Sequence, residues 1–167
     1  AVGETGLDYF RTPPEGRGAQ QESFRRHIAI AKQTGRTLVI HDREAHDDVL
    51  AILAAEGAPE RVVFHAFSGG ADLARRCADA GYVMSFAGNV TFKNADNLRE
   101  AAAIAPADLL LVETDAPFLT PMPYRGRPNG PYLVPLTVRA LAQARGEDVA
   151  ATATAIAATA ERMFGPW

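Results

Sequence analysis

Leu109–Pro131 reads LLLVETDAPFLTPMPYRGRPNGP, and the rest of the chain is best read outward from it. Leu109–Val112 is an unbroken apolar run without polar alternation, the pattern of a strand covered on both faces. Glu113, Thr114 and Asp115 follow where such a strand ends. Pro117, Pro121, Pro123, Pro128 and Pro131 then exclude a regular helix or central strand, because each removes a backbone donor and fixes its own φ. Arg125 and Arg127 lie inside this stiffened segment. A carboxylate at a strand's C-terminal end, followed by a rigid loop carrying guanidinium groups, suits a metal ligand beside a phosphate-binding lip. A plain turn with Asp at its corner and two solvated arginines has the same local pattern. The remaining sequence separates the two.

Strand-like and helix-like segments alternate along the chain, with Gly or Pro at the breaks. Ala1–Glu4 reads as the end of a strand and is followed by a loop containing Pro13, Pro14, Gly16 and Gly18. Ala19–Thr34 reads as a helix with Phe24, Ile28 and Ala31 on one face and Gly35 as its stop. Thr37–His41 (TLVIH), Arg61–His65 (RVVFH), Tyr82–Phe86 and Leu109–Glu113 read as further strands. Helices are expected over Glu44–Glu56, with Val49, Ile52 and Leu53 inward, from the SGG of Ser68–Gly70 to Gly81, and over Asp96–Ala105. Two more, Leu136–Arg145 and the alanine-rich Glu147–Met163, close the chain, the last with Val149, Ile156 and Met163 along one side. Repeated βα units imply an α/β fold with a parallel sheet, either a closed TIM-type barrel or an open doubly wound sheet.

The 167 residues suffice for one sizeable core, so a single domain over residues 1–167 is expected. A net charge of −3 argues against wrapping duplex DNA by electrostatics alone, yet permits an acidic site whose bound metal supplies the positive charge. The lone cysteine, Cys77, excludes an internal disulfide, fits a reducing compartment and falls on a buried helix face. No apolar run reaches membrane-spanning length and no signal-peptide pattern is visible, so a cytoplasmic protein is expected. The strand-like start without Met reads as a cut rather than a beginning.

Glu4, His41, His65 and Asp115 each stand at or just past the end of an apolar strand-like run. In parallel βα architectures the C-terminal strand ends share one face, so these four residues are expected to converge. Glutamate, two imidazoles and aspartate form a ligand set suited to Zn²⁺, Mn²⁺, Fe or Mg²⁺. His27 and His46 read as solvated helix-face residues. Asp8 suits either a loop cap or a residue orienting a metal ligand. Arg43 is placed to meet a substrate anion or a local carboxylate, and Ser68 opens a helix as an anion site or an ordinary N-cap. Lys93 and Arg125 suit phosphate contacts. Tyr124 and Tyr132 suit base stacking, although proline-rich loops also bury tyrosines for packing.

The motifs GETGLDYF, LVIHDREA, FHAFSGG, SFAGNVTFK and LLLVETDAPFLTP with RGRPN, in this order, resemble the TatD family of metal-dependent deoxyribonucleases. The resemblance runs almost end to end. It implies a TIM-type (β/α)₈ barrel of the amidohydrolase kind, present here as a C-terminal portion with about five βα units. It implies one or two divalent metal ions, Mg²⁺, Mn²⁺ or Zn²⁺. Glu4 would bridge two metals, His41 and His65 would bind one, and Asp115 would bind the other and act as the base for water. The implied activity is hydrolysis of DNA phosphodiesters, commonly from 3′ ends, with single-stranded DNA as substrate. Three departures stand out. The family's His-x-His pair on the first strand is absent, since the only histidines are His27, His41, His46 and His65. Three βα units, roughly 90 residues, are missing from the front. Gly130 stands where many members carry Glu, which bears on the loop of Arg125, and Thr159 where many carry Asn, which is expected to affect packing alone. The rivals are hydrolysis of an amide, ester or lactone, and a non-catalytic metal-binding fragment whose unpaired strand edges invite association.

Overall fold

A computed structural model of the chain describes residues 1–166. Strands and helices follow in the order β1 (Val2–Asp8), α1 (Pro14–Thr34), β2 (Leu38–Arg43), α2 (His46–Glu56), β3 (Val62–His65), α3 (Ala71–Asp79), β4 (Val83–Phe86), α4 (Asp96–Ile104), β5 (Leu110–Val112), α5 (Val134–Arg145) and α6 (Val149–Phe164). Short 3₁₀ turns occupy Gly88–Thr91, Ala107–Leu109 and Pro131–Leu133. The backbone forms two compact units, Ala1–Ser68 and a second that begins at Gly69.

In the first unit β2 pairs in parallel with both β1 and β3. Leu38, Ile40 and Asp42 alternate onto the buried face of β2, while Val39, His41 and Arg43 take the half-open face. Helix α1 buries Phe24, Ile28 and Ala31 and ends at Gly35 in the left-handed region, as the apolar spacing predicts. It begins five residues before the expected Ala19, because Pro14 is preorganised for the first turn and Glu15 complements the helix dipole. Helix α2 buries Val49, Ile52 and Leu53 as expected.

Strand β1 runs to Asp8, beyond the expected Glu4, and its register against β2 shifts between Val2 and Thr5. The shift is made possible by glycine. Gly3 and Gly6 have φ of 149° and 147°, and Gly6 lies opposite His41 so closely that a Cβ would overlap the His41 carbonyl oxygen. Glu4 therefore sits in a bulge inside the strand rather than at its end, and the bulge re-aims its side chain.

In the second unit β4 and β5 pair in parallel, with Phe86 opposite Val112. All four residues of β4 are buried, so this strand is covered on both faces. Cys77 is buried in α3, as its spacing predicts. Helix α6 starts at an Asp148 N-cap, which accepts from the Ala150 and Ala151 N–H groups, and buries Thr152, Ile156, Thr159 and Met163. Val149, expected on the packed side, is exposed because it precedes that stripe in the first turn. Thr159 does more than pack: its hydroxyl donates to the Asp108 carbonyl at 3.2 Å. The Arg145 guanidinium donates to the carbonyls of Ala102 and Ala105, both at 2.6 Å, satisfying the C-terminal end of α4.

Gly6→Ala is expected to cost about 3 kcal/mol through overlap and a disfavoured backbone angle. Gly18→Ala, on a helix position with open space around it, is expected to add up to about 1 kcal/mol. Urea midpoints of the two variants measure both effects.

Candidate metal centre

Parallel pairing aligns the C-terminal ends of β2 and β3 so that His41 and His65 are register partners. Their ring centroids lie 6.3 Å apart. Glu4, re-aimed by the β1 bulge, reaches both: one carboxylate oxygen is 2.7 Å from His41 Nδ1 and the other 3.5 Å from His65 Nε2. One donor atom from each of the three residues lies within 4.8 Å of the others. Ligands on one tetrahedral edge of a zinc-sized ion stand roughly 3.3 Å apart, so this spacing fits a shared ion. One carboxylate with two imidazoles is a nitrogen and oxygen donor set for a borderline divalent metal.

The orientation of His41 is set from both sides. Its Nε2 is 3.2 Å from an Asp8 carboxylate oxygen, while the other Asp8 oxygen accepts from the Arg11 backbone N–H at 2.8 Å. With an ion between Nδ1 and Glu4, the ring proton would sit on Nε2, where Asp8 is placed to accept it. Asp8 thus caps the turn with one oxygen and contacts the His41 ring with the other.

The loop after β1 is anchored to α1 and α2. Tyr9 donates from its hydroxyl to Asp48 at 2.5 Å, accepts from Gln21 at 2.7 Å, and lies under the Arg17 guanidinium at 4.1 Å. Burial, followed by the hydrogen bond to Asp48, raises the Tyr9 phenol above its ordinary value of 10.0. The Arg43 guanidinium lies over the Phe10 ring at 3.9 Å.

His27 and His46 are not the solvated residues expected. His27 Nδ1 meets the Thr5 hydroxyl at 3.0 Å, and His46 Nδ1 meets the buried Asp42 carboxylate at 2.7 Å. Asp42 follows Leu38 and Ile40 on the buried face, so the strand alternation already marked it as needing a partner. Ser68 does not cap α3. It donates to the Asp42 carbonyl at 2.9 Å, and the N-cap position falls to Gly70.

The other expected residues belong to the second unit. Asp115 follows β5 with φ of 53°, a left-handed conformation that Asp tolerates better than most residues and that often accompanies functional positions. Lys93 is exposed, and Arg125 lies over the Phe92 ring at 4.3 Å. Arg99, which the sequence reading missed, organises this segment. Its guanidinium donates to the carbonyls of Val90, Phe92 and Lys93 at 2.9, 2.7 and 3.2 Å, and pairs with Asp96. No local motif announces that role. The residues it ties down are six to nine positions away across a turn.

Parallel βα units that gather a carboxylate and two imidazoles at or near strand ends define an α/β protein with a candidate metal centre. The chain belongs to the family described as TatD related DNase, whose model matches residues 1–165. The protein named uncharacterized metal-dependent hydrolase TatD from Mycobacterium tuberculosis is 50% identical over 172 residues, covering 99% of this chain and 64% of that protein. The protein named uncharacterized metal-dependent hydrolase YcfH from Escherichia coli K12 is 42% identical over 165 residues, covering 98% and 62%. The chain thus spans 62–64% of the length of these relatives. The crystal structure of YjjV, a TatD homolog from Escherichia coli K12, superposes with a TM-score of 0.93 at 30% identity, covering 100% of this chain and 64% of that one. A TatD family hydrolase from Entamoeba histolytica shares the fold with a TM-score of 0.87 at 17% identity. The α/β fold expected from the strand and helix alternation, of the TIM-barrel kind that the family resemblance implied, is the fold of these relatives.

Asp8→Asn is expected to weaken zinc or manganese binding about 10–100-fold by releasing His41, which calorimetric titration of the metal-free protein reads directly. Tyr9 is expected to ionise above the ordinary tyrosine range, and Tyr9→Phe removes that step from the ultraviolet titration. The sign follows from a folded value above the unfolded value of about 10. The associated stability is present in full below about pH 10 and is lost as pH rises through the folded value.

Proposed function

We propose that the full-length protein is a metal-dependent hydrolase of DNA phosphodiester bonds, acting on single strands or 3′ ends. The observation that carries this reading is the convergence of Glu4, His41 and His65 in a chain of the TatD related DNase family. A bound divalent ion, one or two of Mg²⁺, Mn²⁺ or Zn²⁺, would supply Lewis acidity and lower the pKa of a coordinated water. Glu4, His41 and His65 would hold that ion, and Asp8 would accept the proton on the remaining His41 nitrogen. Asp115 contributes a further ligand and takes the proton from the attacking water. Arg43, Lys93 and Arg125 bind the phosphate oxygens. Two of these, the guanidinium groups of Arg43 and Arg125, already lie over aromatic rings, so less rotamer freedom would be lost on binding. In this reading Ser68 is a supporting residue, since its hydroxyl is engaged with the Asp42 carbonyl.

Among the described residues no helix is long and apolar enough to cross a membrane. The reading places the enzyme in the cytoplasm, supported by a lone, buried cysteine.

A hydrolase of an amide, ester or lactone would use the same donor set. Arg43 and Arg125, each held over an aromatic ring, favour the phosphodiester. Turnover of 3′-ended oligonucleotides against a panel of such esters and lactones by the full-length protein decides between them, and turnover of the panel alone would remove the nuclease reading.

Asp115→Asn in the full-length protein is expected to lower DNA hydrolysis by at least about 10²-fold while metal remains at the Glu4 centre. Unchanged turnover would take Asp115 out of this role. His65→Ala is expected to reduce metal content itself, read by elemental analysis after gel filtration.

A further inference from the structure

The proline-rich loop after β5 and the start of α5 border an open cavity of about 540 Å³. That volume lies in the range of small-ligand sites, about 300–1,000 Å³. Tyr124, Tyr132, Arg127, Arg139, Pro128 and Leu136 line it, and none of them belongs to the hydrolytic set assigned above. Both tyrosines are open to solvent, Tyr124 at 44% and Tyr132 at 72% exposure. Packing therefore does not account for them.

The cavity is electropositive. No carboxylate lines it, and among the described residues neither Arg127 nor Arg139 has an acidic partner. In a chain of net charge −3, this local excess points to an anionic ligand. Two phenol faces beside two guanidinium groups match an anion that also carries flat apolar surface.

The walls are held in advance. The Thr120 hydroxyl donates to the Arg127 carbonyl at 2.8 Å. The Asn129 side-chain amide donates to the carbonyls of Thr114 and Phe118 at 2.7 and 2.5 Å, and its oxygen accepts from the Gly130 N–H at 2.8 Å. The Tyr132 ring rests against the backbone of Gly130, where a Cβ would come within 2.7 Å of the ring. Any side chain at 130 would displace it.

We propose that this cavity is a nucleotide subsite for single-stranded DNA. One base stacks on Tyr132 or Tyr124, and the adjoining phosphate is held by Arg127 and Arg139. Aromatic stacking with flanking arginines is the sequence-tolerant way proteins hold unpaired bases. The inference rests on DNA being the substrate, and it uses residues separate from those of the hydrolytic site.

The test uses the full-length, metal-loaded protein and a short fluorescein-labelled single strand with phosphorothioate linkages, which resist hydrolysis. Fluorescence anisotropy is expected to show Tyr132→Ala weakening binding about tenfold. Gly130→Val is expected to do the same by pushing the ring aside. Arg139→Gln is expected to weaken binding and to reduce the slope of log affinity against log salt by about 0.7. Each variant should keep the parent melting temperature, and Tyr132→Ala, at an exposed position, guards against a folding failure in Gly130→Val.

Unchanged affinity in all three variants would overturn the subsite. So would an equal effect of Tyr132→Ala on an abasic strand, which would leave only an anion site, or displacement of the strand by polyglutamate as readily as by unlabelled DNA. Hydrolysis of an ordinary strand by the unaltered protein is scored separately. Hydrolysis without these binding losses keeps the nuclease reading and removes the subsite, whereas the binding losses without hydrolysis keep the subsite and remove the nuclease reading.

Discussion

The close approach of β1 to β2 at Gly6 and His41 is the constraint on which the candidate metal centre depends. Only a residue without Cβ lets the two backbones meet there, because a methyl group would occupy the position of the His41 carbonyl oxygen. That contact fixes the register of β2 against β1, and β3 extends the same register to place His65 beside His41. A slip of one residue would turn both imidazoles to the opposite face of the sheet. The bulge at Gly3 and Glu4 is the complementary device, since it adds the shift that lets a strand-interior glutamate reach both rings.

Around that centre, polar groups are supported rather than left to solvent. Asp8 bonds a backbone N–H with one oxygen and His41 with the other, so the imidazole is oriented by a group that is itself oriented. Beneath the β2 end, Asp42 takes His46 on its carboxylate and Ser68 on its carbonyl. Buried carboxylates and imidazoles are costly unless partnered, and the partners here arrive from the loops that follow β1, β2 and β3.

The two units use the same physical device for their candidate phosphate contacts. Arg43 lies on Phe10 and Arg125 on Phe92, at 3.9 and 4.3 Å. A guanidinium laid on a ring keeps its donor edge available while losing rotational freedom before any ligand is met. Arg99 serves the opposite purpose, spending its donors on three backbone carbonyls to hold the turn that carries Phe92.

The class of fold and the donor types were legible in the sequence, because apolar periodicity and Gly or Pro breaks are local properties. Phe24, Ile28 and Ala31 declared one face of α1, and Val49, Ile52 and Leu53 one face of α2, through spacing alone. His41 and His65 at the ends of apolar runs marked a shared face before any contact was known. The bulge that places Glu4, the partners of His27 and His46, the engagement of Ser68, and the role of Arg99 were not legible. Each depends on a pairing between segments distant in sequence or on a backbone angle at one glycine. Thr5 with His27 is a pairing across 22 residues, and Tyr9 with Asp48 across 39. The sequence by itself therefore determined which side chains were available and roughly which strand ends carry them. The tertiary structure alone decided how they are aimed, because aim follows from register, and register follows from where two backbones are able to touch.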